Sequence, residues 1–355
     1  MQEENSDINL KPQEEKTGNG CVSCNSLLVE EGYTTKLCHS CRSKLLKHSF
    51  PRWVKGFFLV VILCLGYELF RFPEIFGDGI SYARAKKYEE NKKFVSAQRI
   101  YTELTDKYPY SSEILVRLYA CSYQNMDFIQ SVNTLDILIK RDSKDQDIIN
   151  EANFISSSFE KYYVPSEGFL KIINDSLSKD SLLKAVENYT SCNPYEFYPV
   201  DFLYNLYFSR RQYDKCIQIS NDAVKRDPEF IYGYCLLAAA EREKLDFVLA
   251  RQHTQKVLET NSESAAGLST LAKIELKAGN NKKGLELMQQ AADLYGKNDL
   301  NMNLSLALAY HFNDNQAKAD EILKDERKNI SQDEDYYLYI DSIIHGKIQW
   351  QIKGK

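Results

Sequence analysis

The feature that most constrains this chain is a repeated spacing. Asn91-Lys-Lys-Phe94-Val-Ser-Ala97-Gln-Arg-Ile-Tyr101-Thr-Glu-Leu104 runs on to Tyr108-Pro109. An aromatic residue comes first, a small one three places later, a large one four places after that, and a proline closes the stretch. The order returns at Asp127-Phe128 with Ser131, Leu135 and Leu138, and at Arg211-Gln-Tyr213 with Cys216, Ser220, Ala223 and Asp227-Pro228. It returns again at Asp246-Phe247 with Ala250, Thr254 and Val257, and at Gly279-Asn-Asn with Gly284, Met288 and Ala291. The steps Phe94 to Phe128, Tyr213 to Phe247 and Phe247 to Asn281 are each 34 residues. Residues three and four apart share one face of a helix, whereas a strand would alternate. Small residues at one register (Ala97, Ser131, Cys216, Ala250, Gly284) mark where the two helices of a unit cross closely. No unit can bury its own apolar face, so neighbours must stack.

A period of 34 with two helices per unit resembles the tetratricopeptide-repeat family. Low glycine and proline (15 and 8 residues of 355) and the absence of alternating patterns agree with an all-α chain. The expected solenoid covers residues 78–355, with units at about 78–111, 112–145, 197–230, 231–264 and 265–298. A sixth, about 300–333, is shifted by one residue at Gln316, Ala319 and Leu323. Between them, Gln146 to Tyr163 reads as a lone helix, Val164 to Glu196 as a degenerate pair, and Asp333 to Lys355 as a capping helix. The first helices lack the family's usual tryptophan, and several closing prolines are missing. In this family the first helix of each unit lines a concave face that takes peptides or protein segments. The resemblance therefore implies a groove of Tyr82, Lys86, Glu89, Val116, Tyr123, Asp201, Asn205, Phe208, Arg242, Lys273 and Lys277. The family's carboxylate clamp needs lysine where Asp201 stands, so binding of a chaperone tail is not expected. Within a dense aromatic run from Tyr195 to Tyr213, Tyr198 and Phe208 are candidates for a partner hot spot, against inter-helix core for most of the rest.

Ahead of the repeats lies WVKGFFLVVILCLGYELFRF, Trp53 to Phe72, read as one transmembrane helix. Its uninterrupted apolar core, Gly56 to Tyr67, is only twelve residues, fewer than the ~20 of a full span. Lys55 can snorkel, Trp53, Tyr67 and Phe72 suit the interfaces, and Pro73 is expected to end or kink the helix. A buried helix packed on the repeats is the alternative, but the stretch is apolar on every face. A cleaved signal peptide is not expected. Between Lys36 and Lys55 the basic residues Lys36, Arg42, Lys44, Lys47, Arg52 and Lys55 lead up to the apolar core without an intervening acid. The positive-inside rule then places the N-terminus in the cytoplasm and the repeats across the membrane.

Four of the nine cysteines form Cys21-Val-Ser-Cys24 and Cys38-His-Ser-Cys41, separated by thirteen residues. Two such knuckles can place four thiolates around one tetrahedral Zn²⁺. This resembles a zinc ribbon over residues 21–48, with NSLLVEEGYTTKL as two short strands turning near Glu31-Gly32. Disulfides would need an oxidising compartment, which the topology opposes, and two pairs in register favour metal over a redox site. His39 is expected to be an exposed side chain rather than a ligand. The basic residues Arg42, Lys44, Lys47, His48 and Arg52 suit anionic lipid headgroups, and nucleic acid less. The far-apart spacing of Cys121, Cys192, Cys216 and Cys235 suits buried small residues over disulfides or metal ligands.

Residues 1–20 are polar and acidic and read as a disordered tail. The net charge of −5 does not favour a polyanion binder. There is no P-loop, no glycine-rich dinucleotide turn, no H-E-x-x-H and no G-x-S-x-G, and His253, His311 and His345 are far apart, so no enzyme is expected. The reading is a membrane-anchored protein-interaction scaffold with a Zn²⁺ module. The alternative is a regulator whose zinc module contacts nucleic acid or a cytosolic protein while the repeats sense a partner.

Overall fold

The structure, a computed structural model, describes residues 20–46, 51–141, 144–175, 177–295, 299–328 and 334–351; of Leu46, residues 68–73 and Glu334 only the backbone is described. The expected tail at 1–20 and the basic residues Lys47 and His48 lie outside the described residues, apart from Gly20. The chain forms two compact units, Met1–Ile75 and Phe76–Lys355.

The first unit contains a knuckle-and-turn segment, a short helix α1 (His39–Leu46), and the start of α2 (Arg52–Glu90). α2 does not stop at Pro73, and its last turns belong to the second unit. Among the described residues no helix is long and apolar enough to cross a membrane. The expected span at 53–72 runs into residues 68–72, whose side chains lie outside that description. From Phe57 to Tyr67 the large apolar side chains point into open space on all sides of the helix, Phe57, Ile62 and Leu63 each more than 60% exposed.

The second unit is an all-α, tetratricopeptide-like solenoid. The end of α2 pairs with α3 (Phe94–Lys107), and α4 (Ser112–Gln124) with α5 (Phe128–Lys140). After α6 (Gln146–Tyr163), α7 (Glu167–Ile173) and α8 (Lys179–Cys192) the regular pairs resume. These are α9 (Tyr198–Ser209) with α10 (Tyr213–Arg226), α11 (Ile231–Glu243) with α12 (Phe247–Thr260), and α13 (Ala265–Lys277) with α14 (Asn281–Tyr295). The pair α15 (Leu300–His311) and α16 (Gln316–Glu326) follows, and α17 (Glu334–Ile344) packs on α15. The small residues at the helix crossings, Ala97, Ser131, Cys216, Ala250, Gly284 and Ala319, are all buried. A Cβ on Gly284 would stand 2.6 Å from Leu276 Cγ, which is why the closest crossing carries glycine.

The turn inside each regular pair has one geometry. Lys92, Met126, Arg211, Leu245, Gly279 and Asp314 all have positive φ, between 56° and 86°. In the second pair Met126 N–H donates to the Tyr123 carbonyl at 3.0 Å and Asp127 N–H to the Ser122 carbonyl at 2.9 Å. The same two bonds recur at the other five turns, closing the end of the first helix as a Schellman motif. Only Gly279 adopts this conformation without a side-chain penalty, and its Cβ position is open space.

The stacking is interrupted after α5. α6 packs on α4 and meets α5 at Phe128, through Phe159 and Tyr163, while Ile129 and Ile139 of α5 stay 79% and 70% exposed. The solenoid also closes on itself. The turn between α12 and α13 docks on the internal turns of the first two pairs. Ser262 N–H donates to the Lys92 carbonyl at 2.9 Å, and Lys92 Nζ to the Glu259 carbonyl at 2.5 Å. Asn261 Nδ2 donates to the Gln124 carbonyl at 3.1 Å and to Asn125 Oδ1 at 2.8 Å. Glu263 accepts from both the backbone N–H and the hydroxyl of Ser96, each at 2.7 Å. Lys93, the N-cap of α3, makes no side-chain cap bond. A carboxylate from 167 residues further along therefore caps that helix, where the orphan N–H groups and the helix dipole favour negative charge.

Two measurements check this account. Glu263→Ala is expected to lower unfolding stability by about 2 kcal/mol, with faster amide exchange at Ser96, because two hydrogen bonds to a charged acceptor are lost. Gly284→Ala is expected to cost about 1–3 kcal/mol by overpacking against Leu276, and Gly279→Ala about 1 kcal/mol through its backbone angle alone; equal denaturation midpoints for the two variants would contradict the packing argument.

Candidate functional site

In the first unit the four knuckle cysteines come together. Cys21, Cys24, Cys38 and Cys41 place their sulfurs within 4.8 Å of one another, with Cys24 and Cys38 Sγ 3.5 Å apart. No pair is joined as a disulfide. Four sulfurs around a tetrahedral Zn²⁺ at ~2.3 Å would stand about 3.8 Å apart, so the donor set and its size fit that ion. Cys21 and Cys38 are buried with Leu37, against Val29 and Cys41. That apolar cluster is too small to hold a fold alone. The backbone amide of Cys38 pulls the Cys21 thiol down to about 6, against its burial and with further help from the amides of Ser23 and Cys24. At Cys24 the Ser26 amide favours the thiolate, but the thiols of Cys38, Cys41 and Cys21 outweigh it and push the group up to about 12. Four crowded sulfurs cannot all ionise without a cation between them.

The segment between the knuckles differs from the expected pair of strands. Among the described residues no strand forms there, and two bonds hold it: Val22 N–H to the Lys36 carbonyl at 2.9 Å and Glu30 N–H to the Leu37 carbonyl at 3.0 Å. The turn falls at Glu31-Gly32, with Gly32 at φ +94°. The second knuckle opens directly into α1, which turns the chain away before a ladder can extend. Sequence reasoning missed a brace across this turn. Glu30 bonds to His39 Nδ1 and forms an ion pair with Arg42 Nε, both at 2.6 Å, and the Arg42 guanidinium lies 3.6 Å over the Tyr33 ring. The bond from His39, before the charge of Arg42, holds the Glu30 carboxyl below its usual range.

The expected groove residues do not form one open surface. Tyr82 donates to Glu113 and meets the Tyr101 ring at 5.8 Å, bracing its unit to the next, with Lys86 exposed beside it. Tyr123 packs on Tyr163 of α6 at 6.3 Å and lines a cavity of about 340 Å³ with Phe154, Pro228 and Asn261, beside the docked turn. Tyr198 lies against Phe169 at 5.8 Å, and Phe208 between Tyr204 and Tyr213 at 5.5 and 5.3 Å, so both serve the aromatic core of α7 to α10. Asp201 accepts from Asn205 at 3.3 Å. Burial pushes the Asp201 carboxyl up to about 6, although Asn205 and Tyr232 donate to it. Arg242 and Lys273 are covered by the chain's own C-terminal part. Tyr336 of α17 lies 5.7 Å from Lys273 Nζ, and Trp350 lies 6.0 Å from the Arg242 guanidinium. Of the remaining first-helix positions, Glu89 and Val116 face inward to Tyr101 and the α4–α6 core, and Lys277 pairs with Glu243 at 2.6 Å beside the Trp350 ring.

No family model matches the chain, and no curated protein matches it. Solved structures do. A thermophilic tetratricopeptide-repeat protein of Thermus thermophilus is 17% identical, over 47% of this chain and 91% of its own, at a TM-score of 0.40. A tetratricopeptide-repeat protein of Parabacteroides merdae is 14% identical over 76% of this chain and 84% of its own, at 0.36. Yeast Tom70 is 16% identical over 71% of this chain and 58% of its own, also at 0.36. These are likenesses in helix-pair repeats. The 34-residue step and its recurring turn carry the fold assignment here.

Asp201 has a measurable signature. A carboxyl whose folded value is raised above its unfolded ~3.9 favours folding fully only below that value, and the contribution is lost as pH rises through about 6. Asp201→Asn does not ionise, so it is expected to melt above the wild type by about 3 °C at pH 8, with the gap closing below about pH 4.

Proposed function

We propose that this chain is a membrane-anchored protein-interaction scaffold, with a Zn²⁺ module before the anchor and a helical-repeat array after it. The observation that carries the reading is the helix from Trp53 to Tyr67. Its large apolar side chains are exposed all round, an arrangement that costs roughly 25 cal/mol per Å² in water and is favourable in hydrocarbon. The flanking Lys55 and the basic residues before it place the N-terminal module in the cytoplasm and the array on the other side. Cys21, Cys24, Cys38 and Cys41 bind one Zn²⁺, which ties the two knuckles into a fold that the small cluster around Leu37 cannot sustain alone. The array offers protein or peptide partners its exposed first-helix residues, Lys86 and Asn205 among them, with Tyr82, Tyr123, Tyr198, Asp201 and Phe208 shaping the wall behind them. Nucleic acid is disfavoured because Arg42, the first arginine of the basic run, is engaged by Glu30, the Tyr33 ring and the Thr35 carbonyl.

Alkaline carbonate treatment of membranes carrying the full chain tests the anchor. Retention in the pellet until detergent is added is expected, and release by carbonate alone would sink the anchored reading. In the same preparation, metal analysis is expected to give one zinc per chain. Cys21→Ser with Cys41→Ser should abolish the zinc and unfold the N-terminal module while the array melts unchanged.

A further inference from the structure

Past α17 the chain turns at Gly346, where Lys347 and Ile348 N–H both donate to the Ser342 carbonyl, at 2.8 and 3.0 Å. It then runs without helix across the ends of three first helices. Trp350, only 7% exposed, stacks on Phe312 beyond the end of α15 with ring centres 5.5 Å apart. Its ring lies 4.7 Å from Lys277 Nζ of α13 and 6.0 Å from the Arg242 guanidinium of α11. Gln351 Nε2 donates to the Leu276 carbonyl and to Asn281 Oδ1, both at 2.6 Å. Three successive repeats thus hold one aromatic side chain and one amide of an extended segment. An extended peptide makes contacts of this kind in a groove, through one anchoring ring and polar bonds to the wall.

We propose that Gly346–Gln351 is a built-in ligand of the array's partner groove, and that the external partner it holds off is an extended segment with an aromatic residue flanked by a carboxylate. This rests on reading the array as a partner scaffold. The partner's chemistry follows from the charge beneath the indole. Arg242 Nε and Lys277 Nζ share the single carboxylate of Glu243, at 2.9 and 2.6 Å, and all three side chains are at least nine-tenths buried. Burial holds the Lys277 ammonium below its usual range, and Arg242 and Arg211 act in the same direction, against Glu243. One carboxylate is therefore shared by two buried cations. The chain's own IQWQIK supplies no second acid; it covers the excess charge with a ring face, a cation–π contact worth about 0.5–2 kcal/mol. A partner carboxylate beside the ring would neutralise what the built-in segment leaves unpaired. The tether gives that segment an effective concentration on the order of millimolar, so the groove excludes weak ligands and yields to complementary ones.

The test uses the full chain and two labelled peptides, GKIQWQIKGK from its own C-terminus and GKIEWEIKGK. Trp350→Ala is expected to bind the first peptide at least 10-fold tighter than the wild type does, and the second tighter again. Lys277→Gln added to that variant should remove the preference for the acidic peptide. Equal binding by the wild type and a Trp350→Ala variant that still melts cooperatively would overturn the proposal, as would a variant that binds neither peptide. If Trp350→Ala fails to melt cooperatively, Gln351→Ala, which keeps the indole, is read by the same two outcomes. Photo-crosslinking from Lys86, remote from the tail in sequence, tests the scaffold reading separately.

Discussion

Two oxygens of Glu263 hold the array in its shape. A stack of helix pairs makes contacts only between neighbours, and its ends are free to open and close like a spring. Here the carboxylate of Glu263 crosses to the start of α3, and Asn261 and Ser262 settle on the turns of the first two pairs. Asn125 then donates to Gln98 Oε1 at 2.6 Å, and Gln98 to Asp127 at 2.8 Å, so the junction continues as a chain of side-chain hydrogen bonds into the second pair. The irregular helices α6 to α8 lie between the joined parts.

The repeat itself was legible because it is written in side-chain size. A small residue every 34 positions is demanded where two helices cross, and an aromatic before it fills the space beside them. The second helices begin at Phe94, Phe128, Tyr213, Phe247, Asn281 and Gln316, the last displaced by one as the sequence indicated. The turns between helices were not legible. Five of the six left-handed residues are Lys, Met, Arg, Leu and Asp, which carry no glycine signal, because the hydrogen bonds around them outweigh the backbone cost. The closure was hidden for a different reason. Its partners are ordinary polar residues 136 to 170 positions apart, and nothing local sets them off from solvated ones.

The cysteine cluster shows the opposite balance. Its chemistry could be read from two short spacings, while its local fold could not, because so few residues separate the ligands that backbone preference hardly contributes. The apolar helix is intermediate. Its composition is plain, yet the fate of its surface depends on what surrounds it, and the side chains that would complete the span fall outside the described residues. Among the groove residues, family resemblance placed Arg242 and Lys273 on the inner face. It could not reveal that the same chain returns to cover them, since a tryptophan near the C-terminus belongs to no repeat.

The closure at Glu263 also bears on how such a protein can change over generations. Open solenoids lengthen and shorten by duplicating or losing whole units, because each copy answers only to its neighbours. In this array the number of helices between Ser96 and Glu263 is fixed by the need for the two to meet. A unit inserted between them would carry the acceptor away from its donors, whereas units added after α14 would leave the junction intact. Copy number is therefore frozen within the closed part, and the segment that returns from beyond α17 to Lys277 and Arg242 fixes it a second time, because a unit inserted after α14 would carry Trp350 away from both.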